Sequence, residues 1–271
     1  MADNDKSIWL GSKFRSFFKK FTWASGSIFA ALIAWVIIGD MTIGLGVELR
    51  TLLHPTTNLS VMLMLIAGTA TLFSTSIYLS DFKGDIEIKP EGIFDVFSLV
   101  WSRVAMIGIV AVVLVMFYEV VSRYIFEKPT LWANELSLWM AGFIFLLSGL
   151  YAMQQRCHIR IYVVYDLFPR WVQKTADTLS VFLLWVFTVS LIWGGYNESR
   201  DKWNRWETFG TAWDPPLPAT IKPAILVIIT LVAVQALSNL IADWHKAPES
   251  HTPMDDIDQT EIEHMRQSIK D

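Results

Sequence analysis

Long uncharged stretches constrain this chain more strongly than any other feature of its sequence. Six runs contain no Asp, Glu, Lys or Arg: 24–39, 59–79, 104–118, 136–153, 178–196 and 223–242. An α-helix rises 1.5 Å per residue, so about 20 residues cross a hydrocarbon core of ~30 Å. We therefore predict an all-α integral membrane protein with six transmembrane helices.

The distribution of charge supports the same class of protein. Only 18% of the 271 residues are charged, whereas 53% are hydrophobic, with 13 Trp and 17 Phe. A soluble domain of this length would carry more charge and would spread it evenly. The net charge of −4 gives no reason to expect nucleic-acid binding. The single cysteine, Cys157, excludes an internal disulfide framework and a cysteine-rich metal cluster.

The stretch 117–166 predicts a membrane hairpin around which the rest of the chain is organised. Glu119 and Arg123 follow the third run and, being four residues apart, share one face of a helix. Pro129 then breaks the helical pattern, and the fourth run ends in a basic group at 156–160. Two spans joined by a short polar turn, with charge only at their ends, are typical of a membrane hairpin.

The N-terminal 92 residues predict a further hairpin. Residues 1–23 mix basic and aromatic side chains. This pattern is typical either of an amphipathic helix on an anionic leaflet or of a basic flank that only sets orientation. The run 24–39 is interpreted as a retained anchor because no small-x-small cleavage site follows it. The run 59–79 returns across the membrane, and the polar segment 81–92 forms a linker.

Lys and Arg in the connecting segments predict that both termini are cytoplasmic. The cations before the first run, in the linker and around 156–174 lie on one side and outnumber those on the other, and the more positive side is the cytoplasmic one. The acidic residues 246–271 favour either disorder or a short surface helix. The chain is therefore divided into residues 1–92, a four-helix membrane domain at 93–245 and a tail at 246–271.

Several classes of chemistry are excluded by the residues that the spans lack. All five histidines lie outside the uncharged runs, whereas a transmembrane haem pair needs axial ligands at depth. The sequence contains no HExxH, no GxSxG and no phosphate-binding glycine loop. We therefore predict that the chain is not an enzyme and has no cofactor-binding or metal site.

The uncharged span centres also argue against transport by this chain alone. A secondary transporter needs ionisable or unwound segments near the bilayer midplane, commonly in two related halves. The sequence shows neither, nor a convincing internal repeat. A hydrophobic frame with polar margins is expected to support another membrane protein.

Four polar and aromatic residues at the predicted outer margin have two interpretations each. Glu119 and Arg123 form either an exposed intrahelical pair, worth only ~0.3–0.5 kcal/mol, or contacts that orient a partner. Trp132 and Glu135 begin the fourth span. They are either an interfacial Trp and a first-turn acid that complements the helix dipole, or part of a binding surface.

Two residues at the opposite margin are equally ambiguous. His158 is interpreted as a surface histidine in a basic loop, because a metal site would need further ligands at suitable spacing. Asp166 either pairs with a nearby Arg or faces water.

The residues at these margins resemble those of a known family. The stretch YEVVSRYIFEKPTLWANEL, followed one span later by HIRIYVVYDLFP, is similar to the small integral-membrane subunit of tripartite ATP-independent periplasmic (TRAP) transporters, the DctQ-like family. That family shows a similar R-Y-x-F, then Pro, Trp and Glu at the start of the next helix, then H-I-R and an aspartate. The matching positions are Arg123, Tyr124, Phe126, Pro129, Trp132, Glu135, His158, Arg160 and Asp166.

One position departs from the family pattern. The family has Asp two residues after its H-I-R arginine, and Tyr162 holds that place here. The resemblance covers about residues 95–245, and the N-terminal hairpin is an addition to the common four-span pattern.

The resemblance implies a non-catalytic scaffold in the bacterial inner membrane. Its partners would be a large membrane subunit that carries substrate and coupling ion, a periplasmic solute-binding protein and the membrane lipids. Uptake in the family is driven by a sodium gradient, and the substrates are often organic acids. The implied subunit-interface residues are Glu119, Arg123, Tyr124, Trp132, Glu135, His158, Arg160 and Asp166. The alternative function is a self-sufficient oligomeric channel or transporter.

Overall fold

A computed structural model describes residues 7–43, 59–82, 84, 87–156, 165 and 168–245, with side chains of 36–43 left undescribed. This part of the chain forms six helices and no strand. They are α1 (Ser12–Ile43), α2 (Leu59–Ser80), α3 (Ile93–Tyr124), α4 (Trp132–Gln154), α5 (Arg170–Asn204) and α6 (Leu217–Asp243).

The helices form an open row rather than a closed bundle. Helices α1 and α2 pair as a hairpin, α2 packs against α3, and α3 packs against α4. Helix α4 then packs against α6, α3 also touches α6 through a smaller contact, and α5 rests mainly on α6. The row therefore runs α1, α2, α3, α4, α6, α5, with the N-terminal hairpin at one edge and α5 at the other.

Small residues allow close approach at two of these contacts. Gly68 of α2 faces the ring of Phe29, and a Cβ built there would lie 2.9 Å from a ring carbon. Gly142 of α4 faces Ile221 of α6 at the same 2.9 Å separation. Small residues are common where helices pack in membranes, because packing rather than hydrophobic burial drives their association there.

A buried polar cluster ties α3, α4 and α6 together near one end of the row. Gln235 of α6 donates to Asp95 (2.6 Å) and Asn239 (2.9 Å), and accepts from Ser98 (2.8 Å). Asn239 donates to the carbonyl oxygen of Met153 in α4 at 2.7 Å. Because buried polar groups are costly without partners, this cluster fixes the relative positions of the three helices.

The all-α membrane fold is confirmed. Five helices, α2 to α6, are long and apolar enough to cross a membrane. Helix α1 is not among them within the described residues, and the side chains of its last eight residues, 36–43, lie outside them. The sixth span and the cytoplasmic location of both termini stay predictions. The tail 246–271 lies outside the described residues.

Helix boundaries differ from the uncharged runs. Helix α3 begins at Ile93 rather than after Arg103, and α5 continues to Asn204. The amphipathic segment before residue 24 is continuous with the first span in α1 instead of forming a separate surface helix. The reason is that a helix continues beyond the hydrocarbon core wherever its side chains tolerate water, and the apolar pattern does not mark that point.

Candidate partner interface

Two of the three connections between α3 and α6 lie at one end of the row, which we name the loop end and define as residues 119–135 and 198–220. It contains the C-terminal turns of α3 and α5, the N-terminal turns of α4 and α6 and both connections. The opposite end, the linker end, consists of residues 7–15, 81–103, 151–156 and 239–245. Asp, Glu, Lys and Arg of α2 to α6 lie within about three turns of the helix ends and are absent from the middle of each helix, so these two ends are where polar recognition can occur.

Glu119 holds the turn between α3 and α4. Its carboxylate accepts hydrogen bonds from Arg123 Nε at 3.0 Å, from the Thr130 backbone N–H at 3.0 Å and from the Thr130 hydroxyl. Only 3% of Glu119 is exposed. Ser122 adds a 2.6 Å hydrogen bond to the carbonyl oxygen of Lys128. Glu119 therefore acts within the chain, on the inner side of the turn.

Arg123 and Tyr124 present the accessible surface of the same turn. The side chain of Arg123 is half exposed above Glu119, and Tyr124 is 77% exposed. The apolar side chains of Ile125, Phe126 and Leu131 beside them are also largely exposed. This surface offers a cation and a phenol within an apolar surround.

Trp132 and Glu135 connect this turn to the rest of the loop end. The ring of Trp132 lies 5.7 Å from that of Tyr118 in α3. Glu135 accepts a 2.7 Å hydrogen bond from the hydroxyl of Thr211, in the connection between α5 and α6. The two connections are thereby joined across the first turn of α4.

Trp213 does not lie at the membrane interface, where Trp residues next to a span are commonly found. It is buried, 6.4 Å from the ring of Trp139, and Trp139 donates a 2.8 Å hydrogen bond to Thr220. Trp203 and Trp206, in contrast, are exposed and contact each other edge to face. Burial of one indole anchors the loop on α4 and α6, which the number of Trp residues alone does not reveal.

Ion pairs complete the surface of the loop end. Lys222 of α6 pairs with Glu198 of α5, and Lys202 of α5 pairs with Glu207. The hydrogen bond from Lys202 lowers the pKa of Glu207 below its ordinary value, against a smaller opposing effect of desolvation. The exposed Lys222–Glu198 pair joins α5 to α6 and contributes little to stability, whereas the partly buried Lys202–Glu207 pair joins α5 to the connection that follows it.

His158, Arg160 and Asp166 lie outside the described residues, so their interface role stays a prediction. The described residues beside them form two contacts. Arg156 makes a bidentate ion pair with Asp243 of α6, with N–O distances of 2.6 and 3.0 Å. Burial works against the charged form of Arg156, but the carboxylate of Asp243 keeps the pKa of that guanidinium raised. Tyr165 donates a 2.7 Å hydrogen bond to Asp177.

The linker end contains contacts that sequence reasoning missed. Glu87 accepts hydrogen bonds from Arg103 at 2.6 Å, from the hydroxyl of Tyr151 at 2.9 Å and from the Gly84 backbone at 2.9 Å. Desolvation by burial opposes ionisation of Glu87, but these donors outweigh it and lower its pKa. The linker is thus attached to both α3 and α4.

Asp81 forms a second attachment at the linker end. One of its carboxylate oxygens accepts hydrogen bonds from the hydroxyl of Ser7 at 3.0 Å and from the backbone N–H groups of Ile8, Trp9 and Leu10 at 2.9–3.1 Å. Arg15 lies 3.6 Å from the other oxygen. No local pattern marks this residue, since its partners lie more than 60 residues away in the chain.

Within the described residues, no group of three or more His, Cys, Asp and Glu side chains could hold a metal ion. The polar residues of both ends are engaged in fixing helices and loops. Their arrangement provides a surface rather than a reaction centre.

Comparison with known protein families finds a match to the second half of the chain. Residues 112–246 match the family described as "Tripartite ATP-independent periplasmic transporters, DctQ component". Through this segment the chain belongs to the DctQ family. The segment covers most of the second half of α3 and all of α4, α5 and α6, so the N-terminal hairpin lies outside it.

A curated relative agrees with the family assignment. The chain is 28% identical over 114 residues to the "C4-dicarboxylate TRAP transporter small permease protein DctQ" of Vibrio cholerae serotype O1. The alignment covers 40% of this chain and 46% of the relative, so the chain spans less than half the length of that protein. No solved structure matches the chain.

The family and the spans confirm two further predictions. The DctQ family is a non-enzymatic component of its transporters, so the chain is not an enzyme. Family membership together with five apolar spanning helices makes this DctQ protein a multi-pass protein of the inner membrane.

Proposed function

We propose that this DctQ protein is the small membrane subunit of a TRAP transport system and acts as its scaffold. The observation that carries the proposal is the match of residues 112–246 to the DctQ component. The proposed division of the chain is an added hairpin with its linker at 1–92, the scaffold domain at 93–245 and a tail at 246–271.

The polar groups of the described spans support a scaffold rather than a pathway. Asp, Glu, Lys and Arg are absent from the middle of α2 to α6. Thr188, buried near the middle of α5, donates its hydroxyl within its own helix, to the carbonyl oxygen of Leu184 at 2.8 Å. A carrier needs polar side chains or unwound backbone at the bilayer midplane to coordinate its solute.

The proposed partners are a large membrane subunit and a periplasmic solute-binding protein. DctQ is by description one component of a tripartite system, which leaves the solute pathway and solute capture to other chains. The proposed substrates are organic acids, because the relative from Vibrio cholerae is named for C4-dicarboxylates. The resemblance described above supports sodium as the coupling ion.

We place the partner-facing surface at the loop end. Arg123 and Tyr124 are accessible there, and Trp132 and Glu135 join the two connections into one unit. Such a surface suits a polar contact at the edge of the membrane, where amphipathic aromatic side chains are enriched. His158, Arg160 and Asp166 would contribute at the opposite end.

The proposal is tested by affinity purification of the full chain from its native membranes in mild detergent, with every co-eluting protein identified. A scaffold is expected to bring down a larger polytopic protein in stoichiometric amount. It should transport nothing when reconstituted alone. Recovery of the chain alone, or as a homo-oligomer that transports organic acids by itself, would instead support the self-sufficient channel or transporter.

A further inference from the structure

We propose that the N-terminal third of α1 is a binding face for anionic phospholipids of the leaflet at the linker end. This face is defined as Lys13, Phe14, Phe17, Lys20 and Phe21. The proposed lipid contact also includes Lys19, which is exposed in the same turns but lies on another side of the helix, one turn after Arg15. The face belongs to the added hairpin and lies outside the segment that matches the DctQ family.

The cations of this lipid contact are accessible and unpaired. Lys13, Lys19 and Lys20 are exposed, and none of the carboxylates in the described part of the chain forms an ion pair with them. Lys13 and Lys20 are seven residues apart and flank Phe17, so the three share one face of the helix. These lysines are therefore available to bind a negatively charged ligand.

Arg15 shows that the exposure of these lysines is selective. It lies on the opposite side of α1, is 8% exposed, and contacts both Asp81 and the ring of Phe82, with 4.2 Å from the guanidinium carbon to the ring centroid. One cation of the segment therefore serves the packing of α1 against α2. The three lysines have no such role.

Exposed aromatic rings lie between and beside these cations. Phe14 and Phe17 are more than half exposed, and Phe17 stacks on Phe21 with ring centroids 6.0 Å apart. Large apolar rings next to lysines are unfavourable in water. They are stable at the membrane interface, where rings enter the acyl boundary and ammonium groups reach the headgroups.

The packing of the hairpin places the face at that depth. The hydroxyl of Thr22 donates to Ser74 at 3.2 Å, and Gly26 of α1 lies against Thr71. Because the two helices are antiparallel, Lys19 and Lys20 are level with the last two turns of the α2 span, which ends at Ser80. Phospholipid headgroups lie where a span ends, so the lysines meet headgroups rather than bulk water.

The segment is also held rigidly before any lipid binds. Asp81 fixes residues 7–10 just ahead of α1 through four hydrogen bonds, and the indole of Trp9 donates to the carbonyl oxygen of Ser80 at 3.2 Å. A preformed helix and a fixed approach to it reduce the ordering cost of binding. The exposed lysines, the exposed aromatic rings, the position beside the end of α2 and the rigid attachment of the segment all support binding to an anionic lipid surface.

The test is native mass spectrometry of the full chain, released from detergent that contains equimolar phosphatidylglycerol and phosphatidylcholine. Each basic residue near an anionic surface favours binding by about fivefold. We therefore expect the wild-type chain to retain phosphatidylglycerol preferentially, and K13Q/K19Q/K20Q to reduce that preference by at least about tenfold. The charge-preserving variant K13R/K19R/K20R should behave as wild type, which separates loss of charge from misfolding.

A matched control removes three cations elsewhere, in K89Q/K128Q/R205Q, and should keep the wild-type preference. A wild-type preference in K13Q/K19Q/K20Q, or an equal loss in the control, would overturn the proposal. It would also be overturned if the wild-type chain were a dimer that the same lysine substitutions dissociate, because a second copy would then cover this face.

Discussion

Glu87 in the linker accepts a 2.6 Å hydrogen bond from Arg103, three turns inside α3. The same carboxylate accepts a hydrogen bond from Tyr151 of α4. The linker therefore does not act as a flexible tether between the hairpin and the DctQ segment. It attaches the hairpin to two helices of the scaffold domain through one ionised side chain.

This attachment is expected to depend on pH. The pKa of Glu87 is lowered in the folded chain, so its contribution to stability is complete above the unfolded value, about 4.5, and is lost as pH falls through the folded value. The melting temperature in detergent should fall as the pH is lowered below about 4.5, and it should fall less in Glu87→Gln. An equal fall in that variant would assign the pH dependence to other groups.

Removal of the Asp81 carboxylate should release the N-terminal segment. Asp81→Ala removes the acceptor for four hydrogen bonds and leaves Arg15 buried without its nearest carboxylate. Breaking a buried ion pair by removing one partner costs about 3–5 kcal/mol. Limited proteolysis should therefore cleave before residue 15 much faster than in wild type.

The control for Asp81 is Asp201→Ala. Asp201 forms a 3.5 Å pair with Arg200 in which both side chains are more than half exposed, so the cost should stay below about 1 kcal/mol. If both variants were cleaved at the same rate, Asp81 would not be the residue that retains the segment.

Glu119 is expected to matter for folding rather than for partner contact. Glu119→Ala leaves the Thr130 donors and Arg123 without their acceptor, so the α3–α4 turn should loosen and the melting temperature should fall by several degrees. Glu198→Ala, which removes a carboxylate from the exposed pair with Lys222, is the matched control and should change it less. Normal stability of Glu119→Ala together with lost assembly would reverse this assignment.

The accessible residues of the loop end, in contrast to Glu119, are expected to matter for partner contact rather than for folding. Arg123→Ala, Tyr124→Ala and Glu135→Ala are expected to lower recovery of the large subunit in affinity purification several-fold, because interface anchors of these types account for much of the binding energy. Tyr124→Ala is the most informative of the three, since Tyr124 is 77% exposed and its truncation should leave the melting temperature unchanged.

Leu183→Ala is the control for these variants. Leu183 lies on the exposed surface of α5, away from the loop end, and its truncation should leave both recovery and uptake at wild-type level. Wild-type recovery in the three loop-end variants would remove these residues from the interface.

The spans and the α3–α4 turn were predictable because both depend on residues close in sequence. Uncharged runs long enough to cross a bilayer determine α2 to α6, and a spacing of four residues determines that Glu119 and Arg123 can pair. The position of Trp132 and Glu135 at the start of α4 follows in the same way from Pro129.

Contacts between distant segments were not predictable from these patterns. Neither periodicity nor charge predicts the hydrogen bond between Glu87 and Arg103 or those between Asp81 and residues 7–10. They also do not predict that Trp213 is buried against Trp139. A Trp near the end of a span is expected at the lipid interface. Trp213 is buried because the connection between α5 and α6 passes over α4, and the sequence pattern does not show that path. Apolar runs also show that helices exist without showing which helices are neighbours.

The open row has a consequence for how such a subunit can acquire new parts. The N-terminal hairpin is attached at the edge formed by α3, where α2 packs, and the contacts of α4 with α6 and of α6 with α5 are made without it. A helix pair can therefore be gained or lost at this edge much as a strand is added to the side of a sheet. The remaining helices keep their neighbours, so the hairpin can be changed while the proposed partner surface at the loop end stays the same.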